Sequence, residues 1–119
     1  MIKQLKFVSI PTRDQDRALA FWIEKMGFHV LTDQPMGKQR WIELGIPGAQ
    51  TGIVLFTPEG HEDRIGGFFN GSFQCDDVDY SYRQLKERGV EVEPPEKQPW
   101  GSFVRFRDPD GTMFIMSGR

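Results

Sequence analysis

Residues 68–79 read FFNGSFQCDDVD, with Asn70, Ser72 and Gln74 alternating with Phe69, Gly71, Phe73 and Cys75. Period two predicts a β-strand with one polar face and one mostly apolar face. The pattern then changes. Val78, Tyr82 and Leu85 make an apolar stripe at helical spacing, predicting a helix from about Asp77 to Arg88 that Gly89 closes. Leu19, Trp22, Ile23 and Met26 fall at i, i+3, i+4 and i+7 and predict another, from about Asp14 to Met26, ended by Gly27. Asp14 and Asp16, like Asp77 and Asp79, stand at the positive ends of these helices, where a carboxylate accepts from free backbone N–H groups. That explains them better than paired catalytic acids.

Three strands are predicted after the first helix, Phe28–Thr32, Arg40–Leu44 and Gly52–Thr57, with turns at Gln34–Gly37 and Ile46–Gly48. Three more follow the second helix: Val90–Glu93, Ser102–Arg107 and Met113–Ser117. Asp108-Pro109-Asp110-Gly111 is a tight turn between the last two. Residues 57–64 read as a polar linker. The segments LKFVSIPTRDQDRALAFWIEKMGFHV and FFNGSFQCDDVDYSYRQLKERGVEV run in parallel: Ser9 falls on Ser72, Asp14 on Asp77, Asp16 on Asp79 and Glu24 on Glu87. The chain therefore reads as βαβββ, twice.

Composition narrows the classes. A chain of 119 residues suits one domain, and ten Phe and three Trp give it a core to bury. With 15 basic and 17 acidic side chains and no basic stripe, a nucleic-acid partner is not expected. Cys75 is the single cysteine, so no internal disulfide and no cysteine-based metal knot can form. It reads as a buried small hydrophobe. MIKQLKFVSIP lacks the apolar core of a signal peptide, and no run approaches membrane-spanning length, so a soluble cytoplasmic protein is expected.

Few residues offer obvious chemistry. His61-Glu62-Asp63 is dense in potential ligands, but three neighbours in a loop rarely share a face, and a solvated loop is the better reading. His29 follows the helix-ending glycine on a strand and reads as a surface or half-buried residue, with a base as the lesser alternative. Neither Ser9 nor Ser72 sits in a nucleophile turn or beside a His. Gly66-Gly67 lacks the Lys-Ser/Thr and the strand-to-helix setting of a phosphate loop.

The ordered set Phe21-Trp22, Met26-Gly27-Phe28, Asp77-Val78-Asp79, Arg88-Gly89-Val90, Trp100-Gly101 and Asp108-Pro109-Asp110-Gly111 resembles the vicinal oxygen chelate superfamily. That group contains glyoxalase I, bleomycin and fosfomycin resistance proteins, and extradiol dioxygenases. The resemblance covers essentially the whole chain. It implies an α+β fold, with two βαβββ modules forming a curled mixed sheet around a cleft and helices on the outer face. Residues 1–119 would be one glyoxalase/bleomycin-resistance-like domain, module one about 1–60 and module two about 66–119. A homodimer would complete or duplicate the cleft, and the modules could pair within a chain or swap between chains.

The superfamily's metal enzymes place divalent-metal ligands at cleft-facing strand positions. By the resemblance, the first such position is Phe7, its counterpart in module two Asn70, and the position four residues after the turn glycine Ile115. The fourth-strand position falls near Leu55. Phe, Ile and Leu have no lone pair to offer, and one Asn carbonyl is a poor site. No metal cofactor is therefore expected.

Strand parity gives the remaining cleft candidates. Phe7 and Ser9 share one face of the first strand; Asn70, Ser72 and Gln74 share the matching face of the fifth. Across the Asp108–Gly111 turn, if no bulge intervenes, Ile115 faces Val104 and Met113 faces Phe106. This parity puts Arg105 and Arg107 on the outer face. Trp41 and Trp100 are possible aromatic walls or core and interface residues, and Arg40 a possible partner for a ligand carboxylate. A mostly apolar lining with a few amides and hydroxyls suits a small organic ligand. The expected function is binding of an apolar or aromatic molecule without metal. The alternative is a lyase, isomerase or dioxygenase with atypical ligands, and a third reading is a partner-binding subunit.

Overall fold

The computed structural model describes residues 1–118. Residues 1–65 pack as one unit and the chain from Gly66 as another, both on one plan. In unit one, β1 (Phe7–Pro11) leads into α1 (Gln15–Ala20), a π-helical segment (Phe21–Lys25), β2 (His29–Met36), β3 (Gln39–Gly45) and β4 (Gly52–Phe56). The sheet order is β1-β4-β3-β2, with β1 parallel to β4. In unit two, β5 (Phe68–Gln74), α2 (Val78–Glu87), β6 (Glu91–Val92), β7 (Glu96–Gln98), β8 (Gly101–Arg107) and β9 (Met113–Gly118) repeat it. Here β5 runs parallel to β9, and both β6 and β7 pair with β8. The fold is mixed α+β.

Each helix starts as the sequence dictates. The Asp14 carboxylate accepts from the Arg17 N–H and that of Asp77 from the Tyr80 N–H, both at 3.0 Å. The first helix departs from a regular α-helix after Ala20. The Met26 N–H reaches back five residues to the Phe21 carbonyl. The wider turn rotates the apolar stripe, so Phe21 joins Trp22 in the core while Leu19, Ile23 and Met26 stay partly exposed.

Other boundaries move for local reasons. β2 extends through Pro35 to Met36 because it is an edge strand, where proline's missing N–H costs no ladder bond. The turn contracts to Gly37-Lys38. In unit two the expected strand Val90–Glu93 shortens to β6, and a further short strand, β7, which the sequence pattern did not mark, follows Pro94-Pro95. The polar segment 57–64 holds one short 3₁₀ turn, Glu62–Arg64.

One face of each sheet is covered by its helix. In unit one Ile10, Ile42, Leu44, Ile53 and Leu55 are buried with Ala18, Phe21 and Trp22; in unit two Val104, Phe106, Phe114 and Met116 are buried with Val78 and Leu85. Phe69 and Phe73 add their rings to Phe114, at 5.1 and 6.0 Å between centroids.

Gln15 ties helix to sheet. Its buried amide donates to the carbonyls of Arg40 (2.7 Å) and Leu55 (3.0 Å) and accepts from the Arg40 N–H (3.0 Å). It thereby satisfies backbone groups the strands leave unpaired. Gln39 does the same for Thr57, at 3.0 and 2.9 Å.

Candidate functional site

The β8–β9 hairpin decides which side chains share a surface. The Gly111 N–H bonds the Asp108 carbonyl at 3.0 Å, and the Asp108 N–H bonds the Thr112 carbonyl at 3.2 Å. Gly111 has φ +83°. Pro109, Asp110 and Gly111 thus form a three-residue loop, a turn followed by a left-handed bulge residue. The odd loop shifts the register by one from the two-residue expectation. Arg105 lies opposite Ile115, Val104 opposite Met116, and Arg107 opposite Met113.

This corrects the expected lining. Val104 and Phe106, each 1% exposed, and Leu55, fully buried, belong to the helix-covered cores. Met113 and Ile115 lie on the opposite, open face. So do Arg105 and Arg107, which parity about a two-residue turn put outside. Ser72 pairs with Ile115, and Gln74 with Ser117, on that open face. Asn70 is exposed on β5, beside an irregularity in its pairing with β9.

Unit two's open face carries a layered arrangement. Trp100, 68% exposed, stacks on Phe103 at 5.9 Å with planes 8° apart, and the Arg105 guanidinium lies 4.9 Å over the Phe103 ring. Arg105 also donates to Glu96 at 2.6 Å, with Glu93 at 3.9 Å. Arg107 donates to the Gly111 carbonyl at 2.8 Å. The Ser72 and Ser117 hydroxyls are 3.2 Å apart.

Unit one's open face follows from its register. Ser9, Val54 and Glu43 stand in line across β1, β4 and β3. Phe7 lies two residues to one side of that line and Trp41 two to the other, on strands separated by β4. Their rings nonetheless approach to 5.6 Å, edge to face at 77°. They therefore meet above β4, where Val54 is only 1% exposed. Phe7, Ser9 and Trp41 share the open face of this sheet, and Glu43, two residues from Trp41, is a neighbour that strand parity in the sequence did not mark. Phe103 and Ser117 were missed in unit two because the register error hid their face.

The remaining candidates have structural duties. Arg40 is held by both Asp33 oxygens (3.0 and 3.2 Å) and by Asp16 (2.6 Å), so it is not held ready for a ligand carboxylate. Hydrogen bonds to Asp33 and then Asp16 push its pKa up. The His29 ring packs over Gly45, where an added Cβ would come within 2.5 Å of Nε2. Glu62 accepts from the Gly60 N–H at 3.1 Å, and its pKa is lowered first by its own backbone and then by that bond. Burial pushes the Cys75 thiol up, away from a reactive thiolate.

The model of the Glyoxalase/Bleomycin resistance protein/Dioxygenase superfamily matches residues 4–116. The chain belongs to this superfamily. It is 36% identical over 121 residues to the uncharacterized protein YetH of Bacillus subtilis (strain 168), covering 98% of each chain. Among solved structures, a superfamily member from Sphaerobacter thermophilus DSM 20745 is 35% identical with TM-score 0.89, covering 99% of this chain and 98% of that one. TnmS3, an antibiotic binding protein from Streptomyces sp. CB03234, is 34% identical with TM-score 0.86, covering 98% and 96%.

At the positions where the resemblance places the superfamily's metal ligands, Phe7, Leu55 and Ile115 carry no donor atom and Asn70 offers one amide oxygen. Phe7 and Ile115 occupy open-face positions with rings and methyls. At the fourth-strand position Leu55 is in the core, and its open-face neighbours Val54 and Phe56 also lack a donor atom. Among the described residues no group of three His, Cys, Asp or Glu side chains is placed to hold a metal ion. Nor is any helix among them long and apolar enough to cross a membrane.

Proposed function

We propose that this chain is a metal-independent small-molecule-binding protein of the superfamily, taking an aromatic or amphipathic molecule on its open sheet faces. The observation that carries the reading is the pairing of exposed or half-exposed aromatic rings, Phe7 with Trp41 and Trp100 with Phe103, at surfaces where metal donors are replaced. Ring stacking and apolar burial supply affinity there. Ser9, Ser72, Gln74 and Ser117 supply hydrogen bonds that orient a ligand. The antibiotic-binding description of TnmS3, a relative of similar length, supports the same class.

Exposed Phe68 is a side chain a homodimer would cover, so the binding form is proposed to be dimeric. Light scattering tests that part.

Titration with a panel of planar and amphipathic compounds tests the function. Trp22 is core, so Trp41 and Trp100 report binding. A ligand is expected to quench their fluorescence and raise the melting temperature. A broad panel producing neither effect counts against binding. Metal-dependent turnover of a glyoxalase or catechol substrate supports the lyase or dioxygenase alternative instead.

A further inference from the structure

Glu43 has no counter-charge among the described residues. It is half-buried on the open face of β3. On the other, helix-covered face of the sheet the acids have partners: Asp14 caps α1, and Asp16 and Asp33 hold Arg40. No hydrogen bond or ion pair engages the Glu43 carboxylate among the described residues. Its cross-strand neighbours are Thr32 and Val54. The Phe7–Trp41 pair arches over Val54 beside it. A carboxylate on an apolar, aromatic surface loses part of its hydration and gains nothing from the protein in return. That arrangement leaves the carboxylate available to a group from outside the chain.

We infer that Glu43 selects ligands bearing a positively charged nitrogen, an ammonium or amidinium joined to an aromatic or apolar body. The inference rests on the ligand-binding reading above and names its ligand class. Two kinds of group converge on such a cation. The carboxylate supplies a charge-assisted hydrogen bond. The Phe7–Trp41 pair, packed edge to face beside it, leaves ring surface for cation–π attraction. An anionic ligand at Glu43 would meet an unshielded like charge.

Calorimetric titration with three probes sharing one ring system separates the possibilities: naphthylmethylammonium, naphthylmethanol and naphthoate, each at up to millimolar concentration. The native chain is expected to bind the ammonium at least about tenfold more tightly than the alcohol, and naphthoate least. In Glu43→Gln the ammonium and the alcohol should differ by no more than about twofold, whereas Glu43→Asp keeps the preference. A native chain without charge preference, or a preference that survives Glu43→Gln, overturns the role of Glu43 while leaving ligand binding intact. If none of the three probes binds, the ligand-binding reading fails and this inference with it.

Discussion

Arg105 and Ile115 face each other across β8 and β9, on the surface that α2 leaves open. A charged residue and an aliphatic one thus share the unit-two face, while Val104, one residue away, is 1% exposed in the core. The relationship follows from Gly111. Its positive φ admits a bulge residue after the turn, and that extra residue assigns every later side chain of β9 to its face.

The register can be checked by comparing two truncations. Val104→Ala removes buried methyls and is expected to destabilise by roughly 1–3 kcal/mol with little change in the affinity of any bound ligand. Ile115→Ala, on the open face, should cost under about 1 kcal/mol but weaken a ligand that quenches Trp100. Chemical denaturation and ligand titration on both variants give the answer. The reverse pattern restores the two-residue register.

The doubled βαβββ plan, both N-caps and most strand positions are legible in the sequence because they rest on local signals: period two, helical stripes, Asp before a helix, Gly after it. The site is less legible because it depends on signals one residue wide. A two-residue and a three-residue loop fit Asp-Pro-Asp-Gly almost equally well, and only the backbone bonds of Asp108 distinguish them. The π segment at Phe21–Lys25 likewise inserts a register change inside a run that reads as regular α-helix. Arg40 looks available in sequence because its partners, Asp16 and Asp33, are 24 and 7 residues away. Glu43 was hidden differently, since nothing local marks a carboxylate as lacking a partner.

Gln15 is a test of buried polar satisfaction. Gln15→Leu keeps the bulk but leaves the Arg40 N–H and the Arg40 and Leu55 carbonyls without their amide partner. The expected loss is roughly 2–4 kcal/mol. By contrast Asp16→Asn, at an 81% exposed ion-pair partner, should cost under about 1 kcal/mol and less in high salt. Urea midpoints of both variants measured together decide it. Equal effects would mean the Gln15 amide carries no special weight.

Metal content tests the reading of Phe7, Asn70 and Ile115. Protein purified without added metal or chelator should contain far less than one equivalent of any divalent ion by elemental analysis. A stoichiometric metal would direct attention to Glu43, His61, Glu62 and Asp63 as ligands. It would also return the enzyme alternative to first place.

Asp108 makes stability depend on pH in an unusual direction. The carboxyl is buried at 7% exposure. One oxygen accepts from the Asp110 and Thr112 N–H groups, while the other has no hydrogen-bond partner. Burial pushes its pKa up from 3.8 to about 6; Asp110's charge adds to the rise, and the backbone bonds oppose it. The fold therefore holds the proton more tightly than the unfolded chain does. The associated stability is fully present below about pH 4 and is lost as pH rises through about 6, a change of roughly 2–3 kcal/mol. Asp108→Asn keeps an accepting oxygen for both N–H groups and cannot ionise. Its stability relative to the native chain should rise by that amount between pH 4 and 7, with an amide N–H free to meet the buried Thr112 hydroxyl. Denaturant titrations at several pH values across this window measure the difference. A variant whose offset from the native chain is the same at pH 4 and pH 7 would show that Asp108 titrates normally and that the hairpin holds it as an ordinary carboxylate.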